Sequence, residues 1–217
     1  MKRVHRLVGP QGQRLTLIGG ILGLAADADL VRAEFSREKP ASVQLGIPFE
    51  DLDAIRGTAG KEAEVAFESS DLDDHYFERL KRFGAVKTPP TDLYAAYALA
   101  DAAKIPVGAI DLGDEAHTDA YTRHVGIFEV IRSNRTQRKL PARRLSDTTA
   151  EEFAIAWDAA LHATKGLRKV QQAREAWMAQ QLVLLPGSGL NHVALVPISR
   201  MTGVMDRLRA AGWAPRS

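Results

Sequence analysis

The densest group of side chains able to do chemistry lies in DLGDEAH, where Asp111, Asp114, Glu115 and His117 fall within one short stretch. Carboxylate oxygens and an imidazole so close together are donors that a hard divalent cation could use. The spacing matches no calcium-binding loop, however, and acids just ahead of a helix serve as caps and dipole partners. A solvated loop is the expectation here. Asp73, Asp74 and His75 open a charged helix and read the same way. A second candidate is GGILG, from Gly19 to Gly23, which follows an apolar strand and invites comparison with a dinucleotide-binding turn. That fingerprint needs G-x-G-x-x-G and an acid closing the next strand. Here the spacing is GG-x-x-G, the next strand ends QLG, and Asp27 and Asp29 would repel a pyrophosphate. A plain tight turn is expected, with no cofactor.

Two further stretches need weighing. His192 in GSGLNH has no serine and acid partner legible in the sequence, and PGSGL lacks the G-x-S-x-G of a nucleophile elbow. The run from Arg132 to Arg144 holds six Lys and Arg residues and no acid. Nucleic-acid modules add aromatic stacking residues or a recognition helix to such a run. None interleaves here, so the run reads as solvated or cleft-lining and no nucleic-acid partner is expected.

Bulk composition bounds what these residues can belong to. The chain has 217 residues, 45% hydrophobic and 26% charged, which is enough for one substantial core and short for two domains. One domain over residues 1–217 is the expectation. Twenty-nine basic and 27 acidic residues leave a net charge of +2, too small for a field that gathers polyanions. Cysteine is absent, which excludes disulfides, thiolate metal sites and a cysteine nucleophile. No stretch approaches the length of a membrane span and the N-terminal residues lack a signal peptide's apolar run, so a cytoplasmic protein with no membrane partner is expected.

The elements that would position the chemistry follow from periodicity. Val4 to Val8 and Arg14 to Ile18 flank the turn-rich GPQGQ, which predicts an N-terminal β-hairpin. Leu15 to Ile18, a helix to about Glu38 ended by Pro40, and a strand near Ser42 to Leu45 form a βαβ unit. Such units build a covered α/β sheet whose ligand site lies at the carboxyl ends of the strands. Further helices are predicted over 48–56, 73–83, 92–104, 118–132, 146 or 147–162, 167–181 and 202–211, with strands at IPVGAID and HVALVP. The fold class is α/β and helix-rich, with a central, mainly parallel sheet, covering helices and an N-terminal hairpin.

Taken in order, these pieces resemble the TraB/Tiki (TraB/PrgY-like) family, whose architecture is shared by ChaN- and erythromycin-esterase-like proteins and whose known enzymes are metal-dependent proteases. The resemblance covers nearly the whole chain and rests on pattern more than identity. Against the family's Gly-Thr-x-His turn, LTLIGGIL keeps Gly19, with Gly20 for threonine and Leu22 for histidine. KPASVQL keeps Lys39, Pro40 and Leu45 but has Gln44 for the glutamate. The strand ending in Asp111 is matched, Leu112 replaces the arginine after it, and Thr118 matches the family's threonine. AREAWMA preserves Arg174, Met178 and Ala179, and VALVPISRMTGV keeps Gly203 with Arg200 in a histidine position.

The departures fall on the polar residues that the family's active site requires. Leucine offers a metal no lone pair, glutamine only a neutral amide oxygen, and arginine is a permanent cation. The resemblance therefore implies a divergent member without the metal-ligand motifs. Its cleft would include Gly19, Gly20, Leu22, Gln44, Asp111, Thr118, Arg174 and Arg200, with no catalytic residue and no metal. The leading reading is binding of a small anionic molecule or a protein partner, with Arg174 and Arg200 favouring a carboxylate or phosphate. A second is a metal-dependent hydrolase with relocated ligands among Asp111, Asp114, His117 and His192. A third is a homo-oligomeric scaffold using Trp177 or Trp213 at an interface.

Overall fold

Leu15, Leu17 and Ile18 are almost wholly excluded from solvent because their strand runs through a sheet covered on both faces. The computed structural model describes residues 2–61, 69–145 and 148–216. Its strands are β1 (Val4–Val8), β2 (Arg14–Gly20), β3 (Ser42–Leu45), β4 (Val107–Ala109), β5 (Asn191–Pro197) and β6 (Ala214–Pro215). The described helices are α1 (Ala26–Glu38), α2 (Phe49–Thr58), α3 (Asp71–Leu80), α4 (Thr91–Ala102), α5 (Asp114–His124), α6 (Ile127–Lys139), α7 (Ala150–Leu161), α8 (Lys165–Val183) and α9 (Met201–Ala210).

The predicted hairpin forms, with Val4 opposite Ile18 and Val8 opposite Arg14. The sheet order is β4-β3-β5-β2-β1-β6, and it is mixed rather than mainly parallel. β4, β3, β5 and β2 run parallel, whereas β1 is antiparallel to β2 and β6 antiparallel to β1. The hairpin and the returning tail both add antiparallel strands on the β2 side, and the short β6 carries no periodic signal. The βαβ unit β2-α1-β3 is present, but its strands are not neighbours. β5 arrives late in the chain and lies between them, pairing Leu17 with Ala194 on one side and Gln44 with Ala194 on the other.

Each face of the sheet has its own apolar layer. On one, Leu15, Leu17, Ala194 and Val196 pack with Phe153, Trp157, Met178, Leu182 and Met205. On the other, Ile18, Val43, Leu45, Val193 and Leu195 pack with Val31, Leu52, Ala96 and Ala100. The alanine-rich α4 presents small side chains here, which lets it lie close to α1 and β3. Each wholly buried leucine stabilises the fold by about 1.5–3 kcal/mol.

α1 departs from a simple apolar stripe. Ala33 is exposed, while Glu34 and Glu38 are buried on the sheet side. They are accommodated because Arg6 of β1 pairs with both and Arg216, just beyond β6, pairs with Glu38 at 2.6 Å. Burial pushes the Glu38 carboxyl up, but the hydrogen bonds from Arg216 and Arg6 outweigh it and hold it below its ordinary value.

Three helix expectations shift. The single helix over 118–132 is two, α5 and α6, broken at Val125 and Gly126. The break is stabilised by Glu129, which accepts from Gly126 N–H at 3.4 Å and from Gly166 N–H at 2.7 Å. The helix expected over 48–56 runs on through Gly57 to Thr58 in α2. The expected start of the next helix at Ser146 or Asp147 lies outside the described residues, and α7 begins at Ala150 with the Thr149 side chain accepting from Glu152 N–H. The basic run forms the second half of α6 and its exit, with its arginines on the exposed side. Among the described residues, no helix is long and apolar enough to cross a membrane.

Candidate functional site

β2 and β5 end side by side, with Gly20 opposite Pro197, and a cleft opens at this carboxyl edge. Gly20 is needed for a close approach. A Cβ there would lie 2.8 Å from Asp92 Oδ2 and 3.1 Å from Leu195 Cδ1. Gly19 is as tightly placed, its missing Cβ falling 2.4 Å from Ile198 Cδ1. Leu22, the position where the resemblance expects a metal-binding histidine, stands 45% exposed at the mouth. The cleft has two lobes that share Gly20, Leu22 and Pro197.

The larger lobe, about 260 Å³, is walled by Ile21, Tyr76, Trp157 and Ile198, with Asp158, Arg174 and Arg200 among its lining. Arg174 comes from α8, and Arg200 from the turn between β5 and α9. Arg174 Nε donates to both oxygens of the buried Asp111 carboxylate at 3.1 Å, and Nη1 donates to Gln171. Arg200, nearly buried, pairs with Asp158 and reaches Glu175 at 3.4 Å, which also accepts from Arg207. His162 Nδ1 lies 3.3 Å from Asp158, giving that carboxylate a second partner. Burial pushes Asp158 up, but hydrogen bonds from His162 and Arg200 outweigh it and hold the carboxyl below its ordinary value. Both guanidiniums therefore enter the lobe already facing carboxylates.

The smaller lobe, about 110 Å³, has apolar walls from Ile47, Leu93, Leu195 and Val196 and ends on Asp92. Asp92 sits in the first turn of α4, is 5% exposed, and accepts from its own backbone N–H and that of Leu93. It has no ion-pair partner among the described residues. Burial, and then the charge of Asp27, push its carboxyl up to about 7. Asp27 accepts from Ile21 N–H at 2.7 Å and from Arg3. Burial pushes its carboxyl up as well, further than Arg3 draws it down.

The sequence-derived site is thus only partly assembled. Gly19, Gly20, Leu22, Arg174 and Arg200 converge on the cleft edge, and Asp111 enters through Arg174. Thr118 is exposed on α5 and Gln44 lines neither lobe. The Gln44 amide donates to Ser42 Oγ at 3.0 Å and lies against Gly108. Ser42 in turn meets His192 Nδ1 at 2.8 Å, and His192 Nε2 meets the Pro186 carbonyl at 3.0 Å. A serine partner for His192 therefore exists, 150 residues away in sequence, at the opening ends of β3 and β5.

The fallback metal set does not come together. Asp111 is held by Arg174 beyond the closing end of β4, Asp114 is exposed, His117 is half-buried, and His192 lies at the opposite edge of the sheet. Among the described residues, no group of three or more His, Asp and Glu side chains is disposed to hold a metal ion. Of the two interface candidates, Trp177 is exposed beside a groove between α5 and α8, but Trp213 is 3% exposed and part of the core. Asp92, Asp158, Tyr76 and Trp157 are the lining residues that sequence reasoning missed. Asp92 reads as a helix cap, and its first-turn position alone carries no sign of the cavity it faces. No protein-family model matches the chain, and none of the curated proteins compared with it matches.

Proposed function

We propose that the chain is a divergent TraB/Tiki-like protein that binds a small acidic ligand in this cleft rather than cleaving peptides with a metal. What supports the reading most is the pair Arg174 and Arg200 in a lobe whose apolar walls are Ile21, Tyr76, Trp157 and Ile198, with the carboxylates of Asp73 and Asp158 also in its lining. An apolar body with a carboxylate or phosphate fits those walls, its acidic end toward Arg200. The acid exchanges with Asp158, which turns to His162, so that neither carboxylate is left buried and unpaired. Leu22 contributes hydrocarbon at the mouth, where a ligand-binding imidazole would be needed for metal chemistry.

A thermal-shift series tests it. Inorganic phosphate raises the unfolding temperature, Arg200→Gln removes most of that rise, and manganese, cobalt and zinc chlorides give none. Stabilisation by one of the divalent ions, with phosphate inert, overturns the reading.

A further inference from the structure

The charges around the smaller lobe do not balance. Among the described residues, the cation that the structure sets against Asp92, Asp27 and Glu151 is Arg3. Arg3 is already committed to Asp27, to the Gly19 carbonyl at 2.9 and 3.0 Å, and to Glu151 at 3.7 Å. Asp27 Oδ1 is buried with no hydrogen-bond partner. Asp92, nine-tenths buried, turns its carboxyl to a cavity whose other walls are apolar, and among the described residues it accepts from the backbone N–H groups of its own helix. The Tyr76 hydroxyl also feels the charge of Asp92, and burial keeps it neutral.

A buried carboxylate is costly unless a cation shares its site. Among the described residues no cation forms an ion pair with Asp92, since Arg3 is committed to Asp27 and Glu151. The cavity is far larger than the minimum for a single water, so a small group can enter beside it. We propose that the smaller lobe is a subsite for a protonated alkylamine, with the ammonium on Asp92 and the alkyl chain against Ile47, Leu93 and Leu195. Because the lobes share Gly20, Leu22 and Pro197, one molecule can reach both. The inference builds on the acidic-ligand reading and narrows it to an amphoteric ligand, with an acid at the arginines and an amine at Asp92. A neutral alcohol would bury against the same walls but leave the charge uncompensated.

The test uses n-butylammonium and n-butanol as matched probes, by thermal shift and calorimetry at pH 8, on the wild-type chain and Asp92→Asn. The amine binds the wild type and the alcohol binds far more weakly. Asp92→Asn lowers amine affinity by at least about tenfold, as loss of one member of a buried charge pair does. Equal responses to amine and alcohol, or undiminished amine binding by Asp92→Asn, overturn the proposal. If that variant does not fold, the carboxyl-carbon resonance of Asp92 in the wild type decides. The amine must lower its titration midpoint, and an unmoved midpoint overturns the subsite. Phosphate is titrated separately on the wild type. A response to amine without phosphate leaves the subsite standing and removes the acidic-group reading, and the reverse removes the subsite alone.

Discussion

Ser42 Oγ lies 2.8 Å from His192 Nδ1, and both side chains are buried. With His192 Nε2 donating to the Pro186 carbonyl, Nδ1 accepts the serine proton, the same polarity as a nucleophile and its base. Burial keeps it structural. Neither residue lines a lobe of the cleft, so a fluorophosphonate label is expected to leave Ser42 unmodified in the folded chain, as peptide mass spectrometry would show. Ser42→Ala strands the imidazole nitrogen and the Gln44 amide and costs about 1–3 kcal/mol in urea unfolding.

Asp92 gives the stability curve a distinctive slope. Its folded value, near 7, lies above the ordinary 3.8, so the native state holds this proton more tightly than the unfolded chain. Its contribution is present at low pH and is lost as pH rises between those values, a swing on the order of 4 kcal/mol. Asp92→Asn removes the swing and makes the chain more stable at pH 8, by at most that amount. Denaturant midpoints at pH 5 and pH 8 measure it, and identical slopes in the two proteins contradict it.

Glu38 and Asp158 act in the other direction, because their folded values lie below the ordinary range. Their stabilisation is complete above that range and disappears as pH falls through the folded values. Glu38→Gln is expected to lose stability at pH 7 and to lessen the acid sensitivity of the wild type below pH 4. Circular dichroism melts across that range provide the check.

Arg174 and Asp111 form a two-point contact with the carboxylate wholly enclosed. Arg174→Ala leaves that carboxylate buried and unpaired, for a loss of about 3–5 kcal/mol. Arg174→Lys keeps the charge but loses the fork, and falls between wild type and alanine. Chemical denaturation ranks the three.

Gly20→Ala is the smallest change that fills the cleft. The new methyl group meets Asp92 Oδ2 and Leu195, for an expected cost of about 1–3 kcal/mol and an occluded smaller lobe. Calorimetry with n-butylammonium should show weaker binding by Gly20→Ala than by wild type.

What the sequence makes legible is local. Alternation in Val4 to Val8 and Arg14 to Ile18 specifies the hairpin, and Gly20 marks the edge where the cleft opens. Long-range order is different. Nothing in HVALVP tells that β5 divides β2 from β3, since an apolar run fits any central position in a covered sheet. The same applies to Asp92 and Asp158. Each looks like a helix-surface acid until α4 and α7 dock, when burial raises the Asp92 carboxyl while His162 and Arg200 lower that of Asp158. The pairing of Glu34 and Glu38 is beyond local reading for the same reason, their arginine partners lying in distant strands or beyond them.

The antiparallel match of β6 to β1 sets how the molecule answers to mechanical load. Arg216 N–H donates to the Arg6 carbonyl, so the tail leaves the sheet on the side where β1 begins. Tension applied between the two ends peels these strands apart one rung at a time, the weak direction for a ladder. Glu38, paired with Arg6 of β1 and with Arg216 just beyond β6, ties the two strands together across that seam.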